Sequence, residues 1–207
     1  MKHALINMLT LQDRMNQKVH PQWIAQNYEW FRAIWIECGE LIEHYGYKWW
    51  KKQTPDMPQV QLEVIDIWHF GLSDCFAPGK SLEAIAEEIE GALHGYKFQG
   101  QGVREATEAL AAYALNQKKF SARLFWDLLH AADLSFDELY RQYVGKNVLN
   151  IFRQDHGYKD GSYLKLWSGR EDNEHLSELL QQLDAGAADY SDRLYAELAL
   201  RYRGAQV

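Results

Sequence analysis

The 207-residue chain has only two cysteines, four prolines, fewer basic than acidic residues (22 against 29) and no long apolar run. Each shortage closes a door. Cys38 and Cys75 stand 36 residues apart and neither belongs to a C-x-x-C pair, which excludes a disulfide scaffold and a structural zinc site. Two lone thiols fit a reducing compartment. No stretch reaches the roughly 18 apolar residues of a membrane span, and the N-terminus MKHALINMLTLQDRM lacks the apolar core and cleavage site of a signal peptide. A cytoplasmic location is therefore expected. A net charge of −7 argues against a nucleic-acid polymer or a membrane surface as partner, since both call for a basic face.

Proline and strand signals point the same way. Pro21, Pro55, Pro58 and Pro78 all fall between apolar-periodic segments, where they break no helix. Alternating apolar and polar runs closed by tight-turn pairs are nearly absent. The periodicity predicts helices near 3–18, 22–45, 59–76, 82–96, 103–117, 121–132, 136–154, 173–183 and 189–203. Ser81, Ser121 and Ser135 suit N-cap positions, and Ser135 begins a capping-box pattern ending at Glu138. The expectation is a single all-α domain over 1–207. Its core bundle covers about 3–154, and a basic, Gly-rich loop near 155–172 precedes two C-terminal helices.

What is plentiful is aromatic: 8 Trp, 12 Tyr and 8 Phe. The stripes Trp23/Tyr28/Trp30/Phe31 and Phe120/Phe125/Trp126 read as core or dimer interface. Charge is unevenly spread. Residues 61–110 carry 3 basic and 9 acidic side chains, whereas 111–170 carry 9 and 6. Single lysines and arginines scattered through 146–170 suit a loop that closes on an anion.

The sharpest local signal is two pairs of carboxylates. Glu37 and Glu40 are three apart on one predicted helix, and Glu63 and Asp66 repeat the spacing on the next, so each pair shares a face. Around the second pair, Leu62, Val64, Ile65, Ile67, Trp68 and Phe70 are apolar almost all round, the mark of a buried helix. The loop near 46–58 is short enough to make the two helices antiparallel neighbours. Four clustered carboxylates cannot all ionise without a cation. Hard oxygen donors point to Mg²⁺ or Mn²⁺, and Mg²⁺ commonly shares its ligands with phosphates. Cys38, inside the first motif, reads as a small buried filler, and Gly39 as a concession to close helix packing. Ala77-Pro78-Gly79-Lys80-Ser81 imitates a P-loop end, but Asp74 stands where glycine is required and a helix precedes it.

The spacing E-x-x-E, 22 residues, E-x-x-D resembles the metal signature of the all-α NTP pyrophosphatase (MazG-like) superfamily. Three further stretches resemble the dimeric all-α dUTPases: Leu11–Asn16 with its Gln and Asn four apart, Tyr47–Lys51, and the block Gly145–Gln154 continuing through Gly157-Tyr158-Lys159 to Tyr163–Trp167. The resemblance covers about 11–173. It implies hydrolysis of dUTP to dUMP and pyrophosphate, with dUDP a further substrate, by a homodimer holding two or more Mg²⁺ ions (Mn²⁺ a substitute) on Glu37, Glu40, Glu63 and Asp66. Glu37 or Glu40 would be the general base. Trp50 would wall the base, Gln12 and Asn16 read the pyrimidine edge, and Asn150 complete that readout or hold the sugar. His69 would touch the sugar or serve as a hydrogen-bonded core histidine. Lys146, Arg153, Tyr158, Lys159 and Lys165 would close on the phosphates, and Lys48 and Lys51 would also contact the substrate. Two alternatives stay open: the same chemistry on dCTP or a modified nucleotide, and a non-catalytic helical assembly module.

Overall fold

The computed structural model describes residues 1–204, which hold nine α-helices, one 3₁₀ turn and one two-stranded hairpin. The chain is all-α, and no described helix is long and apolar enough to cross a membrane. Its contacts divide it into two compact units, the first ending at Leu139 and the second beginning at Tyr140.

The first unit is a helical bundle. It contains α1 (Lys2–Val19), the 3₁₀ turn (Trp23–Gln26), α2 (Trp30–Tyr45), α3 (Met57–Asp74), α4 (Leu82–Leu93), α5 (Val103–Gln117) and α6 (Ala122–Ala131), with the start of α7 (Phe136–Asp155). Helix α2 packs along both α3 and α5, and α1 packs against α3 and α4. On α1, Leu5, Met8, Leu9, Gln12 and Asn16 are buried at helical spacing, so two amides occupy core positions of an otherwise apolar stripe. Helix α3 is buried on nearly every side, as its apolar run predicts: Val60, Val64, Ile65, Ile67, Trp68 and Leu72 all lie in the core. Its start is fixed by Asp56, whose carboxylate accepts from the Gln59 amide at 3.3 Å, and by Pro58 in the first turn.

Three serine caps stand as the sequence suggests: Ser81, Ser121 and Ser135 accept from Ala84, Leu124 and Glu138 at 3.2, 3.4 and 3.1 Å. The predicted helix over 22–45 is interrupted. Asn27 takes a left-handed conformation (φ 50°) that ends the 3₁₀ turn, and α2 begins at Trp30. Close packing belongs to a glycine other than Gly39. A Cβ on Gly71 would lie 2.6 Å from the Phe120 ring, whereas one on exposed Gly39 would meet nothing within 4 Å.

The second unit holds the rest of α7, the hairpin β1 (Leu166–Trp167) and β2 (Arg170–Glu171), α8 (Asp172–Gln182) and α9 (Tyr190–Gly204). Much of the aromatic surplus is here. Tyr143, Phe152, Tyr163, Trp167, Tyr190 and Tyr202 are buried, with Tyr163 and Tyr202 stacked at 5.4 Å. A loop was expected over 155–172, and the hairpin inside it is the difference. Ser168 and Gly169 both have positive φ (49° and 80°), the signature of a two-residue hairpin turn. Trp167 is fully buried and donates its indole N–H to the Leu164 carbonyl at 2.7 Å, which ties the segment down.

Candidate functional site

The helix pair α2–α3 sets the acidic centre. Oxygens of Glu37, Glu63 and Asp66 all come within 4.8 Å of one another, a spacing that suits one cation. Spaced by three on α3, Glu63 and Asp66 share a face, and α2, packed along α3, brings Glu37 to them. Glu40 lies outside this trio and is exposed, yet its charge still acts on Glu37 and Glu63. His44 completes the surroundings: its Nε2 sits 3.4 Å from Glu63 Oε1.

The electrostatics show a site short of positive charge. The Glu37 carboxyl is pushed up to about 8, first by burial, then by its hydrogen bond with Glu63 and the charges of Asp66 and Glu40. Glu63 is raised as well, chiefly by burial. Without a cation, Glu37 keeps a proton at neutral pH. The donor set, all carboxylate oxygen, fits a hard divalent ion. Cys38 beside it is buried, and burial pushes its thiol up to about 12, which makes it a poor nucleophile and a sound core filler.

One turn along α3 from Asp66 begins a chain of polar groups. His69 Nδ1 lies 3.0 Å from Gln12 Oε1. Gln12 Nε2 donates to Asn16 Oδ1 at 3.1 Å, and Asn16 Nδ2 donates to Ser73 Oγ at 3.0 Å. Ser73 in turn donates to the His69 carbonyl at 3.0 Å. Gln12, Asn16 and Ser73 are all buried, at 5%, 7% and 1% exposure. The sequence-predicted amides are therefore joined to His69, and Ser73 is a fourth member that sequence reasoning missed. A signal existed: Ser73 is polar within an apolar helix and stands four residues after His69.

The α2–α3 connection carries the aromatic element. Gly46 turns with φ +92°, and its carbonyl accepts from the Arg104 side chain at 2.7 Å. The Lys48 amide donates to Gln53 Oε1 at 2.6 Å, while its ammonium pairs with Glu43 at 3.2 Å. Trp50 is 59% exposed and meets Trp49 and Tyr47 edge-on at 5.5 and 6.0 Å. Lys51 is exposed.

The basic block lies in the second unit. Lys146, Asn150 and Arg153 follow helical spacing on α7 and share a face. Tyr158, Lys159 and Lys165 are exposed beyond it. Arg153 is engaged within the unit: Nε and Nη2 donate to the two oxygens of Asp172 at 2.8 and 2.9 Å, and Nη1 to Asn150 Oδ1 at 3.3 Å. Asp172 is wholly buried and also accepts from Tyr163 Oη at 2.8 Å. Burial opposes its charge, but the Arg153 and Tyr163 hydrogen bonds outweigh it and hold the carboxyl below the usual range. Asp172 carried no signal in the sequence, where it was one acid among many.

The pseudo-P-loop is structural. Lys80 pairs with Glu88 at 2.6 Å, and Ser81 caps α4.

The dUTPase family model matches residues 4–158, about three quarters of the chain, and the match contains both carboxylate pairs, the amide chain and the start of the basic segment. No curated protein sequence matches the chain.

Proposed function

The chain belongs to the dUTPase family and is a dUTP diphosphatase, and we propose that it acts with magnesium held by Glu37, Glu63 and Asp66. The observation that carries this reading is the trio of carboxylates within 4.8 Å, one of them pushed toward its protonated form by burial and then by its acidic neighbours. Glu40, exposed but near enough for its charge to act on Glu37 and Glu63, is the fourth ligand in this scheme, which takes two or more ions. Divalent cations bound there neutralise phosphate charge and lower the pKa of water toward neutrality.

The residues do the rest. Glu37 or Glu40, once ionised, takes a proton from the attacking water. The water oxygen bonds to phosphorus, the phosphoanhydride bond breaks, and dUMP and pyrophosphate leave. Trp50 offers an exposed ring to the base, a contact worth about 1–3 kcal/mol where aromatics stack on bases. Gln12, Asn16 and His69 face the pyrimidine and its sugar. Lys48, Lys51, Lys146, Asn150, Arg153, Tyr158, Lys159 and Lys165 supply cationic and hydrogen-bonding contacts to the sugar and the phosphates. The enzyme works as a homodimer: Trp35 and Ile36 on α2 and Leu62 on α3 are large apolar side chains 40%, 46% and 39% exposed. The unpaired thiols Cys38 and Cys75 suit the cytoplasm.

Pyrophosphate release from each deoxynucleoside triphosphate, with and without Mg²⁺, tests this. Mg²⁺-dependent turnover of dUTP above the others is expected. Turnover of dCTP or a modified nucleotide in its place would transfer the same chemistry to another base, and including dUDP shows whether a diphosphate suffices.

A further inference from the structure

The polar chain at α1 and α3 has a direction, and one residue sets it. Ser73 Oγ lies 3.0 Å from the carbonyl oxygen of His69, four residues earlier on the same helix. A carbonyl can only accept, so the single hydroxyl hydrogen of Ser73 points there. Ser73 Oγ is then left with acceptor capacity only. The Asn16 atom 3.0 Å away must be the amide nitrogen. The Asn16 oxygen therefore faces Gln12 and receives the Gln12 nitrogen at 3.1 Å. That turns the Gln12 oxygen to His69, where the Nδ1 atom 3.0 Å away has to carry the hydrogen. Every donor and acceptor from Ser73 to His69 follows from one hydroxyl and one helix carbonyl. Neutral His69 is held as the Nδ1–H tautomer, opposite to the form favoured by free histidine, with its lone pair on Nε2.

We propose that Ser73 is a positioning residue that polarises the Gln12–Asn16–His69 chain and so makes the site select uracil over cytosine. This rests on the reading that Gln12, Asn16 and His69 face the nucleotide. Uracil and cytosine have nearly the same shape. They differ in that the exocyclic group is a carbonyl acceptor in one and an amino donor in the other, and N3 is a donor in one and an acceptor in the other. Reversing the chain would exchange donor for acceptor at each position along it, including His69 Nε2. A site of freely flipping amides would accept either base, because each amide offers both characters. A site locked from one end presents one pattern, and the wrong base leaves buried polar groups mismatched, the most effective form of rejection available to a binding pocket. Burial of Ser73 at 1% exposure keeps water from replacing its hydroxyl.

The test has a spectroscopic arm and a kinetic arm. In histidine-labelled wild-type protein at pH 8, without nucleotide, the ring nitrogens of His69 are read by NMR, with the resonance assigned by its loss in His69→Gln. The Nδ1–H tautomer is expected, and an Nε2–H tautomer overturns the proposal. Ser73→Ala then removes the hydroxyl with little change in volume. It is expected to mix the tautomers and to lower the ratio of kcat/KM for dUTP over dCTP by roughly tenfold or more, the order expected when one buried hydrogen bond loses its sense. A merely structural Ser73 would lower both substrates together and leave the ratio intact, which also overturns the proposal. If the tautomers mix and the ratio stays the same, base selection by this chain is overturned. If wild type releases no pyrophosphate from dUTP, the proposed function itself has failed, whatever the tautomer shows.

Discussion

Arg153 and Asp172 form a two-point ion pair, with guanidinium Nε and Nη2 on the two carboxylate oxygens at 2.8 and 2.9 Å and the acid fully buried. Fork-to-fork geometry of this kind is the strongest arrangement open to an arginine. It fastens the end of α7 to the start of α8, and Tyr163 joins it from the basic segment.

Asp172→Asn should destabilise the protein by about 3–5 kcal/mol, because it leaves a half-buried guanidinium without its counter-charge. Denaturant melts of the variant measure this. The pair also carries a pH signature. Asp172 titrates below its unfolded value, so its stabilisation is complete above about pH 4, the usual aspartate range, and is lost as pH falls through its folded pKa. Melting temperature between pH 6 and pH 3 should fall less steeply in Asp172→Asn than in wild type.

Glu37 has the opposite sign. Its folded pKa stands near 8, above that of an unfolded glutamate, so between those values the folded chain binds a proton that the unfolded chain releases. Metal-free protein should therefore lose stability as pH rises from about 4.5 to about 8. Added Mg²⁺ should raise the melting temperature more at pH 8 than at pH 5, since the ion competes with the proton. Glu37→Gln is expected to remove most of that slope together with the activity.

Trp50→Ala should raise KM for dUTP and leave the fold intact. The ring is 59% exposed, so its removal opens no cavity, while a lost stacking contact of about 1–3 kcal/mol corresponds to roughly a 5- to 150-fold weaker complex. Melting temperature and KM, measured together, separate binding from folding.

Gly39→Ala should stabilise the protein by up to about 1 kcal/mol, the helix-interior preference of alanine over glycine. The added methyl meets open space at this exposed position of α2. Gly71→Ala is the contrast: its methyl would collide with the Phe120 ring at 2.6 Å, and a clear loss of stability is expected. The sequence pointed to close packing at Gly39, and the structure puts it at Gly71, because which glycine faces a neighbour depends on what packs against the helix.

Local rules were legible wherever a residue's role depends on its near neighbours. Helix periodicity, the serine caps and the buried character of α3 were readable because each is set within a few residues. The spacing of Glu37 and Glu40, and of Glu63 and Asp66, fixed the face each pair shares. The break at Asn27 was missed since no proline marks it, and the hairpin at Ser168-Gly169 was missed since its strands are two residues long.

By itself, then, the sequence determined an all-helical chain with paired acids on neighbouring helices, because dihedral preference and periodicity act locally. Tertiary structure alone decided which acids meet, and it drew Glu37, Glu63 and Asp66 into one cluster with Glu40 at its edge. Tertiary structure also joined Gln12 and Asn16 to His69 and Ser73, 57 residues away along the chain, and gave that chain its direction. Partners this distant are chosen by the packing of α1 on α3, and no local spacing records it.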